Sequence, residues 1–96
     1  MNMKDAYMQK IEAQMEELRA EVDRMKAKAE KADADAKLEY KEQIEELRAK
    51  EHAAQEKLME LKNAGEDAWE DLKAGAEIAT DSLGKAIKSA SSRFKK

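Results

Sequence analysis

From Met8 to Ala36 the apolar residues of this chain return at steps of three and four without a miss: Met8, Ile11, Met15, Leu18, Val22, Met25, Ala29, Ala32 and Ala36. Steps that average 3.5 residues place these side chains on one stripe of an α-helix, and such a stripe demands a partner surface. Beyond Ala36 the stripe runs through Tyr40, Ile44 and Leu47, an eleven-residue stutter, then resumes heptad spacing through Glu51, Ala54, Leu58, Leu61, Gly65, Ala68 and Leu72. The segment QMEELRA at Gln14 recurs as QIEELRA at Gln43, an offset of about eight helical turns. No glycine or proline interrupts residues 1–62. The spacing therefore predicts one continuous helix there, about 90 Å long at 1.5 Å per residue. Its thinnest section is AKAEKADADAK, residues 27–37, where alanine alone fills the stripe and little area can be buried.

The last third carries a different period. AGEDAWEDLKA from Ala64, GAEIATDSLGK from Gly75 and AIKSASSRFKK from Ala86 are three copies of an eleven-residue unit. Each has a small residue first, alanine fifth and a large apolar residue ninth (Leu72, Leu83, Phe94). Eleven residues make close to three helical turns, so these positions form a nearly straight stripe. Between the two periods, Lys62-Asn63-Ala64-Gly65-Glu66-Asp67 reads as a break: Asn and Gly tolerate the left-handed conformation that ends helices, and the acids suit a new first turn. If the chain reverses there, residues whose numbers sum to about 130 face one another. Leu58 then meets Leu72, Leu47 meets Leu83, and Ala36 meets Phe94. A rod that continues through Gly65 is the alternative, since one glycine costs a helix only about 1 kcal/mol.

Composition bounds what such a chain can do. Charged residues make up 43 % of the 96, aromatics 4 %, and there is neither proline nor cysteine. A single thin amphipathic helix buries too little to offset its ordering entropy, so self-association, a partner or partial disorder is expected. The absence of cysteine excludes disulfides and thiolate chemistry and fits a cytoplasmic setting. The opening MNMKDAYMQKIEAQ lacks the apolar run of a signal peptide. Acids crowd residues 64–83, six against the single Lys73, and residues 84–96 hold five bases and no acid, the order a helix dipole favours.

Chemistry-bearing residues are sparse. His52 has Glu56 one turn on, but with no other histidine and no cysteine they complete no recognisable metal site. The hydroxyls Thr80, Ser82, Ser89, Ser91 and Ser92 lie far in sequence from that histidine, and no glycine-rich phosphate loop occurs. No enzyme activity, catalytic residue, cofactor or metal is expected. Trp69 and Phe94 read as core plugs at the two ends of the C-terminal helix. Alternatively, with Lys85, Lys88, Arg93, Lys95 and Lys96, they would contact a membrane or other anionic surface.

The IEELRAK helix at Ile44, the junction LKNAGEDAWEDLKAG at Leu61 and the close AIKSASSRFK at Ala86 resemble a small, poorly characterised family of bacterial coiled-coil proteins associated with stress responses. The resemblance spans most of the chain and is most specific over residues 60–96. It implies a stress association and no catalytic residues. Where that family is expected to carry a second tryptophan, this chain has Ile78-Ala79-Thr80. A looser similarity, in period, alanine and charge content, is to the desiccation-protective proteins of the late-embryogenesis-abundant type.

The expected object is all-α. A long amphipathic helix (1–35, continuing as 36–62) leads to a turn at 63–66, and an antiparallel C-terminal helix follows over 67–96. This helical hairpin or coiled coil assembles as a homo-oligomer. Its packing seam is Ile11, Met15, Leu18, Val22, Met25, Ile44, Leu47, Leu58, Leu61, Leu72, Leu83, Ile87 and Phe94. The expected role is structural or protective, with the chain itself as first partner. A membrane surface or an unrelated protein partner is the alternative, as is a largely disordered desiccation-type protectant. No nucleic acid is expected.

Overall fold

A computed structural model describes residues 2–94 and side chains through Arg93; the Phe94 ring, Lys95 and Lys96 lie outside the described residues. Three helices account for almost all of it: α1 (Met3–Glu30), α2 (Ala34–Asn63) and α3 (Trp69–Phe94). Asn2 caps α1, its side-chain oxygen accepting from the Asp5 amide at 2.8 Å. This satisfies one of the first-turn donors that a helix cannot pair internally.

The expected unbroken helix over 1–62 is overturned at residues 31–33. The amides of Lys31 and Ala32 bond back to the carbonyls of Lys28 and Ala29, both at 3.1 Å, tightening the last turn of α1. Asp33 then sits in extended backbone and caps α2, its carboxylate accepting from the Ala36 amide at 2.9 Å. The reason lies in the thin alanine section. A straight continuation would bury little there, whereas an aspartate that competes for the backbone permits a reversal that brings two large-residue stripes together.

At the second connection α2 ends at Asn63, as the Asn-Gly signal suggests, but by another device. No residue among those described has positive φ; Ala64 is extended instead. The Lys4 ammonium of α1 donates to the carbonyls of Lys62 (3.1 Å) and Ala64, covering the end of α2 in place of a left-handed cap. The Gly65 carbonyl accepts from both Ala68 and Trp69 at 3.1 Å, so a turn wound over 65–68 feeds α3.

Pairings fix the directions. Arg19 meets Glu51 and Asp23 meets Arg48, so α1 and α2 run oppositely. Tyr7 meets Trp69 and Leu18 meets Gly84, so α1 and α3 run the same way and α2 and α3 oppositely. The result is an up-down-up bundle of 51 × 19 × 17 Å with a radius of gyration of 15.4 Å.

All three helices fill one core, whose fully covered residues include Ile11, Val22, Ala54, Leu61, Ala76 and Leu83. Thr80 is the buried polar residue among them, and its hydroxyl donates to the Ala76 carbonyl at 2.8 Å. One chain thus covers its own seam. The seam expected to need another chain is buried within one, because the break at 31–33 turns one thin helix into two that share α3. Of the eleven-residue stripe, Leu83 and Ala90 are buried, Leu72 and Ala79 half-buried, and Ala68 exposed in the turn before α3.

Candidate functional site

Of the thirteen seam residues, Leu18 and Leu72 are half-buried, Phe94 has its ring outside the described residues, and all the others are buried. The twelve with described side chains are therefore occupied, wholly or in part, within the chain. The lipid-contact set divides: Lys85, Lys88 and Arg93 are exposed, Lys95 and Lys96 lie outside the described residues, and Trp69 is 7 % exposed. Its ring lies 6.1 Å from that of Tyr7, tilted by 39°, and the Lys73 ammonium stands 4.9 Å over Tyr7 and 5.8 Å from Trp69. In the folded chain Trp69 is a packing residue joining the first turns of α1 and α3.

The Tyr7 hydroxyl in that cluster is buried without a hydrogen-bond partner of ordinary geometry. Burial, with the Glu77 carboxylate beside it and Asp81 farther off, raises its pKa well above the ordinary tyrosine value. Nothing around it resembles a catalytic arrangement. His52 pairs with Glu56 at 3.0 Å on an exposed face, and no group of residues suited to hold a metal occurs among those described.

A polar cluster ties α1 to α2. Glu51, with its side chain 12 % exposed, forms an ion pair with Arg19 at 3.0 Å and accepts from Arg48 at 2.9 Å, and Arg48 also reaches Asp23 at 2.7 Å. The Arg48 hydrogen bond holds the Asp23 carboxyl below its usual range. Glu51 is the one polar member of the sequence stripe between Leu47 and Ala54, and these two arginines are what make it acceptable there.

The feature with room for a partner lies elsewhere, where α1 ends and α2 begins. An open groove of about 690 Å³ has Ala29, Ala34, Leu38 and Ile44 along its floor and Lys26, Glu30, Lys37, Lys41 and Glu45 on its rim. Leu38 is 68 % exposed. A groove of about 510 Å³ between α1 and α3 is lined about equally by polar groups, from residues such as Glu21, Arg24 and Lys88, and by apolar ones, from residues such as Met25 and Ile87. On α3 a second large apolar residue, Ile78, is 70 % exposed. Neither Leu38 nor Ile78 belongs to the seam read from the sequence; the signal that could have found them is that both fall off its three-and-four steps. A stripe search discards such residues.

Among the described residues no helix is long and apolar enough to cross a membrane. Comparison of the chain with protein-family models, with curated proteins and with solved structures gave no match.

Proposed function

We infer that this protein is a non-enzymatic structural or protective module that self-associates, with a role under stress. The observation that carries the reading is the pairing of an apolar interior packed within one chain with large apolar side chains left outside. Leu38 stands in an apolar groove and Ile78 on the outer face of α3, both more than two-thirds exposed. Exposed leucine and isoleucine in a surface otherwise dense with charge are where association is favoured by apolar burial. On this reading the α2–α3 pair is a helical hairpin with α1 laid along it. The folded chain is the unit that assembles, and the seam serves folding while the outer faces serve assembly. Sedimentation velocity from micromolar to millimolar concentration tests it. Mass rising above 10.9 kDa with concentration supports the reading, and a constant 10.9 kDa contradicts it.

A second reading, binding to an anionic lipid surface, draws on exposed Lys85, Lys88 and Arg93 in the acid-free end of α3. Because Trp69 and Leu83 are buried, the folded chain offers Ile78 as the apolar side chain of that face, and the contact would be mainly electrostatic. Binding to anionic vesicles that disappears on raising salt, and on Lys85→Glu with Lys88→Glu, supports it; no binding at low salt removes it.

A further inference from the structure

We propose that the α1–α2 groove receives the outer face of α3 from a second copy of this chain, with Ile78 of one copy set against Leu38 of the other. The inference rests on the self-association reading and names its surfaces. Of the four large apolar residues exposed among those described, Met3, Leu38, Met59 and Ile78, two sit in matched frames of opposite sign: Lys37-Leu38-x-x-Lys41 on α2 and Glu77-Ile78-x-x-Asp81 on α3. In each, one charge immediately precedes the apolar residue and the other follows three places on, so the two charges stand one helical turn apart along one flank of it. An antiparallel crossing sets the two flanks together. Laying one helix face on the other puts apolar on apolar and ammonium groups beside carboxylates. All four charged residues are exposed and among the described residues none makes an ion pair, although Glu77 also lies against the Tyr7 hydroxyl of its own chain.

The fields around the two faces agree with this. Along residues 70–81 of α3 the charges are Glu70, Asp71, Glu77 and Asp81 against Lys73, and Lys73 is turned onto the Tyr7 and Trp69 rings. Up to Asp81 that face is acidic, and Lys85 one turn farther on begins the basic end of the helix. The groove adds Lys26 from α1 beside the α2 pair, and its lysines outnumber Glu30 and Glu45. Complementary rims of this kind steer encounter and set register, and a small apolar centre supplies the burial.

Groove and acidic face belong to different parts of the surface, since α1 and α2 alone line the groove and Ile78 is on α3. The contact is therefore heterologous: each copy offers one donor face and one receiving groove. Unless the rotation happens to close, such contacts build open chains of copies.

Sedimentation velocity on the full chain at low salt, with three variants, tests the contact. Ile78→Lys at an exposed position should return the protein to 10.9 kDa while circular dichroism stays helical. The doubly reversed variants Lys37→Glu/Lys41→Glu and Glu77→Lys/Asp81→Lys should each lose association alone and regain it when mixed, because each then offers the rim the other lacks. Association that persists unchanged in all three variants would overturn this contact and leave self-association standing. A wild-type chain that stays at 10.9 kDa throughout would overturn both.

Discussion

At the scale of single residues, two side chains carry polar groups into or beside the packed interior with opposite outcomes. Tyr7 stacks toward Trp69 but holds its buried hydroxyl against the Glu77 carboxylate without a hydrogen bond of ordinary geometry. An unsatisfied buried group costs about 1–3 kcal/mol, so Tyr7→Phe should keep stability or raise it by about 1 kcal/mol in urea unfolding. A loss above about 1 kcal/mol would show that the hydroxyl is bonded after all. The raised pKa has its own signature. The folded chain holds the phenol protonated while the unfolded chain ionises near pH 10, so stability is unaffected below that and falls as pH climbs through the folded-state value. Tyr7→Phe should flatten that alkaline decline. Glu51, by contrast, is fully engaged by Arg19 and Arg48. Glu51→Ala should cost about 1 kcal/mol at low salt and less in high salt, read from paired urea curves; equal loss at both would remove the electrostatic account.

At the scale of elements, helix faces are legible because a stripe of large apolar residues is a local property. Met8, Ile11, Met15, Val22 and Met25 on α1, and Ile44, Leu47, Leu58 and Leu61 on α2, are buried where their spacing puts them. The end of α1 is not legible in that way. Asp33 stands four residues before Lys37, which reads equally as a helix-surface ion pair and as the cap it proves to be, and the alanines around it are good helix formers in either case. What decides between them is distant in sequence: the α1 and α2 stripes gain more from meeting each other and α3 than from staying in line. Asp33→Ala should therefore cost about 1 kcal/mol, measured by urea unfolding, as for other lost helix caps. Gly84 offers the converse. It lies inside α3 facing Leu18, and a Cβ there would meet Leu18 Cδ2 at 3.8 Å, an ordinary contact. Gly84→Ala should stabilise by up to about 1 kcal/mol through helix propensity alone; destabilisation would mean that α1 and α3 approach more closely than 3.8 Å allows.

At the scale of the whole molecule, the candidate interaction surface was hidden in the sequence for a physical reason. Periodicity finds what faces inward, whereas Leu38 and Ile78 are informative because they do not. Their matched frames of lysines and acids become visible only once the fold has shown which apolar residues the core leaves outside. The same shift moves the demand for a partner away from the seam. A helix that did not fold back would need other chains to cover Ile11, Leu47 and Leu61, but the bundle covers them itself, so the proposed association draws on outer faces instead. The decisive quantity is the shape of the chain when it is alone. Small-angle X-ray scattering, extrapolated to infinite dilution, reads it directly. The three-helix bundle predicts a radius of gyration close to 15.4 Å. A chain whose first 62 residues form one helix of about 90 Å would instead scatter as a rod, with a radius of gyration of roughly 26 Å, and that result would contradict the account.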